Sequence, residues 1–483
     1  MWVLALIVLA VLPSVGLMLV AGLGLVRLFG LRSDWMSDLA RGYALGALST
    51  ALLALPLWAL WPGPFPFYAV AALLLLLALA GALLPPLVPQ PLPESREYAP
   101  GKPWAEWLFR AAVLLALCFA LLRILAAWTE PIVLGDEAEL WAYKAQQLFA
   151  HGGPSASFAA KMNQPLPVVH PDYPMLSPLL LSWLYASFGE VVHLDARLAA
   201  QAASLALLLL LAASLRRYAG PLIAAPLLLV YVGLPWTRVL ASDVGGESYL
   251  AFGLLLAFES FLRARAMGQL RWATLASVGL AFALWSKNEG QLYLLAIAAA
   301  ALLGGLLDPK RLLASLRPRL AWLTLLPIPV MLAVHMATNR ALGFESTFSK
   351  VEGGNLLTLL LERLPLQSGE VLGYFVSRVA LAPAHSSLLL PLALLLCLLL
   401  PRVVLRRTEL RLPLLAILIG YAGLCATIIA AAKPEQLAWL LDTAMPRICF
   451  QLLPALLLWT GVLLGVAAGA KQVFWRACDA PEL

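Results

Sequence analysis

The chain has 483 residues, of which 62% are hydrophobic and only 12% charged, whereas a soluble domain is usually about 45–50% apolar and about 25% charged. No soluble fold of this length could bury so much apolar side chain, so the composition excludes a water-soluble protein. The net charge of +7 contains no block of like charges, which argues against a nucleic-acid partner.

Long charge-free stretches predict an all-α, polytopic integral membrane protein with about 13 transmembrane helices. A membrane-spanning helix needs about 20 apolar residues, and Leu, Ala and Val follow one another here without the alternation of a membrane β-barrel. In chain order, the predicted spans are 3–25, 42–61, 67–88, 105–128, 194–215, 220–240, 246–264, 271–286, 290–307, 319–337, 384–402, 412–431 and 448–470.

Charge divides the connecting segments into two faces. One face carries 21 of the 33 Lys and Arg residues but only 10 of the 26 Asp and Glu residues. Because basic residues concentrate on the cytoplasmic side of a membrane, we expect this face inside, with the N-terminus outside and the C-terminus inside. The outer face then holds the two longest loops, about 129–193 and 338–383, and long loops tend to carry function.

A short apolar segment, 175–188, lies within the first outer loop. Its length is marginal for a span, and counting it as one would place Arg216 and Arg217 outside. We therefore expect a juxtamembrane helix that lies along the outer surface.

The first outer loop opens with an acidic cluster. Asp136, Glu137 and Glu139 are three carboxylates within four residues, and their repulsion raises at least one pKa unless a cation or metal compensates. Such a group suits a general base or a metal site. A capping box, with Asp136 as N-cap and Glu139 at the third helical position, explains the same pattern, and both interpretations stay open. On a helix, Tyr143 shares the face of Asp136 and Glu139, while Lys144 shares that of Glu137.

Further ionisable side chains recur at the same predicted depth on later segments. They are Asp243, Glu247, Lys287, Glu289 and Arg447. Each alone fits a helix cap, a local ion pair or a cation that reaches the membrane interface, but ionisable groups gathered at one membrane boundary usually face a cavity or pathway. Carboxylates beside cations at this level fit a ligand with a phosphate head and an acceptor hydroxyl that needs deprotonation.

The first outer loop continues through a proline-rich segment that contains His170, Asp172 and Tyr173. These side chains could bind sugar hydroxyls, or His170 could join Asp136 and Asp243 in a metal site. A proline-stiffened turn is the structural alternative. These residues could therefore hold a divalent metal ion as a cofactor.

This ordered set of motifs resembles the GT-C membrane glycosyltransferases that use polyprenyl-phosphate sugars, such as the protein mannosyltransferases and the aminoarabinose transferases. The matching segments are Asp136-Glu137, His170–Pro174 followed by Met175–Phe188, Asp243, Lys287 with Gly290, and Arg447 with Pro454. The resemblance implies that Asp136 is the general base and that Glu137 supports it or contacts a metal. It also implies that Lys287 and Arg447 bind the phosphate of the donor.

The resemblance covers about 105–470 and implies three parts. Residues 1–104 would be three additional N-terminal helices and a cytoplasmic linker, 105–470 the GT-C-like core, and 471–483 a cytoplasmic tail. Leu140 stands where many relatives have an aromatic residue, and no sizeable soluble domain follows the last predicted helix. The usual acceptor-recognition module is therefore absent or replaced by the second outer loop, whose charged residues are Arg340, Lys350, Glu352 and Arg363.

The resemblance implies an enzyme of the bacterial cytoplasmic membrane with its active site on the outer side. It would move a sugar from a polyprenyl-phosphate donor to a hydroxyl of a glycolipid or glycan of the cell envelope, with inversion at the anomeric carbon. Membrane lipids, the lipid-linked donor and the acceptor are the expected partners. Three alternatives stay open: a protein O-glycosyltransferase, a non-catalytic scaffold, and a transporter or flippase for a lipid-linked sugar. The last of these usually has internal repeats, which are not evident here.

Overall fold

The computed structural model describes residues 12–61, 66–88, 102–128, 137–164, 170–191, 193–237, 245–307, 322–345, 356–382 and 388–468. Asp136, Asp243, Lys350 and Glu352 lie outside these ranges, and so do the side chains of Glu137 and Glu139. Across the described residues the regular structure is helical and none of it is strand, as predicted for an all-α protein.

The α-helices of the described residues are numbered in chain order. They are α1 (Leu17–Leu28), α2 (Trp35–Leu60), α3 (Phe67–Leu83), α4 (Pro103–Trp128), α5 (Tyr143–Ala150), α6 (Ala156–Met162), α7 (Leu176–Phe188), α8 (His193–Ala219), α9 (Pro221–Gly233), α10 (Glu247–Met267), α11 (Leu270–Ser286), α12 (Glu289–Leu307), α13 (Pro327–Ala341), α14 (Leu356–Tyr374), α15 (Leu389–Leu399), α16 (Pro401–Arg406), α17 (Thr408–Ala431), α18 (Leu437–Thr443), α19 (Met445–Phe450) and α20 (Leu453–Ala467). Short π-helical segments occupy Leu12–Gly16, Glu137–Ala142 and Phe375–Ala380, and a 3₁₀ turn occupies Pro434–Gln436.

Several of these helices could cross a membrane. Those long and apolar enough are Trp35–Leu60, Pro103–Ala127, Arg197–Ala219, Glu289–Leu306, Thr408–Ala431 and Met445–Ala467. Others are apolar but shorter, with 10–17 residues. Every predicted span overlaps a helix. The chain is therefore an all-α protein with several helices suited to a membrane, whereas the number of 13 spans stays a prediction.

Glycines allow the closest helix crossings. A Cβ on Gly22 of α1 would overlap the carbonyl oxygen of Gly42 on α2, and a Cβ on Gly46 would overlap the backbone of α1. Small residues four positions apart let two helix backbones touch, so the Gly42-x-x-x-Gly46 spacing explains how α1 packs on α2. The helices α10 and α11 cross in the same way, because a Cβ on Gly253 would lie 2.8 Å from the carbonyl oxygen of Gly279.

The predicted juxtamembrane helix is α7, and it is buried instead of lying open along a surface. Residues 176–185 are all buried, and α7 packs against α2, α5 and α8. The ring of Trp183 stacks on Phe67 with centroids 4.5 Å apart, and its Nε1 donates to the carbonyl oxygen of Ser14 at 3.3 Å. The N-terminal helices thus cover a stretch that is strongly apolar yet too short to span.

At the opposite end of the bundle, a buried charge network joins the N-terminal helices to the rest. Glu259 of α10 accepts hydrogen bonds from Arg41 of α2 at 2.9 Å and from Arg217 of α8 at 3.1 Å, and it also pairs with Arg263. The Trp272 ring lies 4.7 Å from the guanidinium carbon of Arg41 and 4.5 Å from that of Arg263. The spacing of these residues in the sequence does not predict this pairing.

The second predicted outer loop is largely helical. Within it, α14 packs along α17, and Arg363 donates to the carbonyl oxygens of Ala430 at 2.9 Å and Ala432 at 2.8 Å. The next predicted span, 384–402, contains the 11-residue helix α15 and the start of α16. The helix α14 was not predicted from the sequence, and the outer position of this segment stays a prediction.

Candidate functional site

Four of the predicted site residues meet at one corner of the bundle. Lys287 donates to Oε1 of Glu247 at 2.8 Å and lies 3.0 Å from Oε1 of Glu289. The Nε atom of Arg447 is 3.1 Å from the same Glu247 oxygen. Glu247 begins α10, Glu289 begins α12, Lys287 connects α11 to α12, and Arg447 lies in α19. We call Glu247, Lys287, Glu289 and Arg447 the charged cluster.

The charged cluster is mostly buried and internally neutral. Glu247 and Lys287 are 1% and 2% exposed, while the Arg447 side chain is 24% exposed. Burial by itself lowers the pKa of Lys287, but Glu247 and Glu289 outweigh it and hold that pKa above its ordinary value. Two acids balance two bases, so an anionic ligand has to compete with a carboxylate for its cation. Arg447 is the cation that a ligand reaches most easily.

Two glycines allow the close backbone contacts at this corner of the bundle. A Cβ on Gly290 would overlap the carbonyl oxygen of Ala283, so the tight connection from α11 into α12 needs glycine. A Cβ on Gly246 would lie 2.7 Å from the carbonyl oxygen of Ser286 and 3.2 Å from the ring of Trp141. The π-helical segment that begins directly after the predicted base therefore reaches the charged cluster through Trp141.

The proline-rich segment forms a turn that Lys144 holds in place. The Nζ atom of Lys144 donates to the carbonyl oxygens of Pro171 at 2.8 Å and Tyr173 at 2.6 Å. Lys144 is fully buried, and this desolvation lowers its pKa to about 7 despite the opposing effect of Asp172. Lys144 thus positions the turn instead of presenting a charge to solvent.

The same turn connects to the charged cluster. The Tyr173 ring packs edge-on against Trp141 at 5.5 Å and lies 5.3 Å from the His170 ring. The Asp172 side chain is buried, and its Oδ2 accepts a hydrogen bond from Asn288 at 3.4 Å. Because Asn288 directly follows the lysine of the cluster, the turn and the cluster form one polar region.

Two predicted residues lie apart from this region. Tyr143 packs against the hydrophobic core, and Arg340 is exposed near the end of α13. Among the described residues, no hydrogen bond or ion pair joins either of them to the charged cluster. The metal hypothesis is untested, since Asp136 and Asp243 lie outside the described ranges; within those ranges, no three His, Cys, Asp or Glu side chains come together as metal ligands.

An apolar cavity of about 310 Å³ lies between α10, α11, α12, α17 and α20. Tyr293 lines it one helical turn beyond Glu289, and its hydroxyl donates to Oε1 of Gln451 at 3.0 Å. Gln451 is fully buried one turn beyond Arg447, and its Nε2 has no hydrogen-bond partner within the described ranges. The buried Gln451 amide is therefore bonded to a residue that lines the cavity, and it lies one helical turn from a member of the charged cluster. This arrangement suits an amphiphile with an anionic head and an apolar tail.

Three residues of this region could not be predicted from their own positions: Asn288, Tyr293 and Gln451. Tyr293 and Gln451 each follow a predicted charged residue by four positions, which on a helix is the same face. Asn288 directly follows a predicted one. Extending each predicted charge by one helical turn would have found Tyr293 and Gln451, and including the adjacent residues would have found Asn288.

Compared with known proteins, the chain matches no protein-family model, no curated protein and no solved structure.

Proposed function

We propose that the chain is a membrane glycosyltransferase that moves a sugar from a polyprenyl-phosphate carrier to an acceptor hydroxyl. The observation that carries the proposal is the charged cluster, one helical turn away from Tyr293, which lines the apolar cavity. The cavity suits part of the prenyl chain, while Lys287, Arg447 and Gln451 offer N–H donors to the phosphate. The acceptor is a glycolipid or a glycan.

The phosphate enters by exchange with a carboxylate. Arg447 is paired with Glu247, and it is the more exposed of the two cations. Phosphate takes the place of Glu247 at Arg447, and the buried pair between Lys287 and Glu247 keeps the helix ends together. The bound phosphate then adds one anion to a neutral cluster, so the binding energy comes mainly from the exchanged pair, the Gln451 amide and the apolar tail.

Asp136 acts as the general base in this proposal. Its carboxylate takes the proton of the acceptor hydroxyl, whose oxygen bonds to the anomeric carbon as the bond from that carbon to the phosphate oxygen breaks. The lipid phosphate leaves with the electron pair, and Lys287 and Arg447 stabilise its charge. One displacement inverts the anomeric configuration. Glu137 supports Asp136 or contacts a metal ion.

The site lies on the outer face of a bacterial cytoplasmic membrane in this proposal. The charge bias of the connecting segments supports that orientation, with 13 spans, the N-terminus outside and the C-terminus inside. Reporter fusions at the two termini test it, and a cytoplasmic N-terminus would contradict it.

Replacing the base tests the reaction. In purified protein supplied with polyprenyl-phosphate sugars and a glycolipid acceptor, Asp136→Asn should lower transfer by at least about 100-fold, the usual effect of losing a general base. Donor binding should be unchanged, and the exposed Glu190→Gln is the charge-matched control. Undiminished transfer would exclude Asp136 as the base. A flippase would instead move the donor across vesicles without consuming it, and a scaffold would tolerate alanine at Asp136 and Lys287.

A further inference from the structure

A second apolar space lies between α14, α15 and the C-terminal half of α17. Its volume is about 400 Å³. Of the described residues that line it, all are apolar except Ser368, Tyr421 and Cys425. We call this space the groove, because Leu364 and Leu394 along it are exposed and it opens on the surface of the bundle.

The groove and the apolar cavity use opposite faces of α17. Leu412 and Ala416 line the cavity, whereas Tyr421 and Cys425 line the groove. With about 3.6 residues per helical turn, these two pairs point in opposite directions. Since α17 is one unbroken helix from Thr408 to Ala431, it separates the two spaces.

Both spaces border on α19, the helix that carries Arg447. Tyr293 lines the cavity, and its hydroxyl donates to the carbonyl oxygen of Ile448 at 3.3 Å. Phe375 lines the groove, with its ring 5.5 Å from that of Tyr421. The π-helical segment that begins with Phe375 packs against α19, and such segments are frequent at functional sites. The cation proposed to bind the donor phosphate therefore lies on a helix that contacts the walls of both spaces.

Hydrogen bonds hold α14 in the position that forms the groove. Arg363 donates to the carbonyl oxygens of Ala430 at 2.9 Å and Ala432 at 2.8 Å. Gln367 is buried and donates from Nε2 to the same Ala432 oxygen at 3.3 Å. These bonds fix α14 to the end of α17, so the groove is a defined feature of the fold and not a gap between loosely packed helices.

The chemistry of the groove fits an alkyl chain. Lipid tails are as apolar as leucine side chains, so in a membrane a chain can enter past the exposed leucines without crossing water. A water-soluble glycan has no apolar part to place against such a wall. The prenyl chain of the proposed donor already has a cavity of its own on the opposite face of α17.

We propose that the groove binds the alkyl chain of the acceptor, so that the acceptor is a glycolipid. This inference rests on the proposed function, in which the acceptor is a glycolipid or a glycan. The donor chain lies on one face of α17 and the acceptor chain on the other, and the two headgroups meet beside α19.

The test uses the full chain in phosphatidylcholine nanodiscs with photoreactive lipids whose alkyl chain carries a diazirine. The probes are hexadecyl glycosides of common hexoses and, for comparison, a phosphatidylcholine with the same labelled chain. Mass spectrometry of the peptides locates the cross-links after illumination. We expect at least one glycoside to label the groove at least about fivefold more than the phosphatidylcholine does, because hydrogen bonds to the sugar add specificity to the apolar contact.

Two matched variants of α17 separate the groove from the cavity. Ala422 is exposed and lines the groove, while Ala416 lines the cavity. Each buried methylene contributes about a fourfold factor in affinity, so a ring that excludes two of them should lower glycoside labelling at least about tenfold in Ala422→Phe. Ala416→Phe should leave that labelling unchanged. It should instead lower the labelling of α10–α12 by a diazirine-bearing polyprenyl phosphate, which Ala422→Phe should leave unchanged.

Three results would overturn the inference. Equal labelling of the groove by every glycoside and by phosphatidylcholine would mean that any membrane lipid fills it, and this comparison needs no variant that might fail to fold. Glycoside labelling that falls in both variants or in neither would mean that the groove is not the site. A groove that no lipid labels, in nanodiscs that hold two chains, would mean that a second copy covers it.

The inference and the proposed function fail separately. Selective labelling of the groove without any sugar transfer would leave a glycolipid site and contradict the proposed function. Sugar transfer to a water-soluble glycan, without labelling of the groove, would contradict the inference alone.

Discussion

Glu247 contributes both to the stability of the fold and to the proposed binding of the phosphate. Its Oε1 receives both Lys287 at 2.8 Å and Arg447 at 3.1 Å, so one buried carboxylate neutralises two cations from different helix ends. Removing a single partner from a buried ion pair usually costs about 3–5 kcal/mol, because the remaining charge is left uncompensated. The same removal leaves the cations available to another anion.

We therefore expect Glu247→Gln to be unstable alone and to be rescued by its ligand. Its thermal midpoint in detergent should fall in the absence of ligand, and polyprenyl phosphate should raise that midpoint more than it does in the unaltered protein, since phosphate replaces the lost anion. Thermal unfolding with and without the lipid measures both effects, with Glu190→Gln as the control. Equal stabilisation of both proteins by the lipid would show that phosphate does not bind at these cations.

Lys144 should make stability depend on pH. Its pKa is lowered to about 7 in the fold because it is buried, with Asp172 opposing the effect, whereas an unfolded lysine has a pKa of about 10.4. Between these values the unfolded chain binds more protons than the folded one, so the free energy of unfolding rises with pH, by up to about 1.4 kcal/mol per unit. Unfolding measured from pH 7.5 to 9.5 should show this rise in the unaltered protein relative to Lys144→Met. Parallel profiles would contradict a neutral lysine.

The helix crossings determine the geometry of the charged cluster as much as its own side chains do. Gly253 and Gly279 hold α10 against α11, and the ends of these two helices supply Glu247 and Lys287. A Cβ at Gly279 would lie 2.6 Å from the backbone nitrogen of Ala257. Since backbone atoms cannot rotate away, a larger residue has to move the helices apart.

Gly279→Val should accordingly weaken donor binding, although Gly279 does not belong to the charged cluster. We expect a lower thermal midpoint and a higher KM for the polyprenyl-phosphate donor, because the separated helix ends no longer hold the ion pair at 2.8 Å. Gly233→Val is the matched control, since a Cβ at Gly233 meets no atom within 4 Å. An unchanged KM in Gly279→Val would mean that the crossing does not set the geometry of the cluster.

The elements show which features the sequence can predict. The length of the apolar stretches predicted spans that each overlap a helix of the structure. The shared membrane depth of Glu247, Lys287 and Arg447 predicted that these residues would lie together, as they do. Composition could not reveal α14, because Arg363 makes its sequence polar while its guanidinium bonds to carbonyl oxygens at the end of α17. The contact of Asn339 with the Asp172 carbonyl oxygen carries no spacing signal, since the two residues are far apart in the chain. Long-range pairing is the information that a pattern of local spacing lacks.

At the scale of the whole molecule, buried side-chain contacts at two levels of the bundle hold the N-terminal helices α1–α3 to the remainder. Glu259 pairs with Arg41 at one end of the bundle, and Trp183 of α7 stacks on Phe67 at the other. Between these levels, the Tyr43 hydroxyl donates to the carbonyl oxygen of Ala199 at 2.7 Å. Because α7 directly follows the proline-rich turn, these helices support the loop that carries the proposed site.

Expressing the chain as two fragments tests whether these buried contacts hold the N-terminal helices to the remainder. Residues 1–94 and 95–483, co-expressed as two chains, should co-purify, because the buried contacts between them need no covalent link. Glu259→Leu should reduce the recovered N-terminal chain at least tenfold, since it leaves Arg41, Arg217 and Arg263 buried without their shared carboxylate. Glu435→Leu replaces an exposed carboxylate and should leave recovery unchanged, as measured by affinity purification through a tag on the N-terminal chain. If Glu259→Leu co-purifies as well as the control, the glycine crossings and the stacked rings suffice, and the charge network does not hold the two parts together.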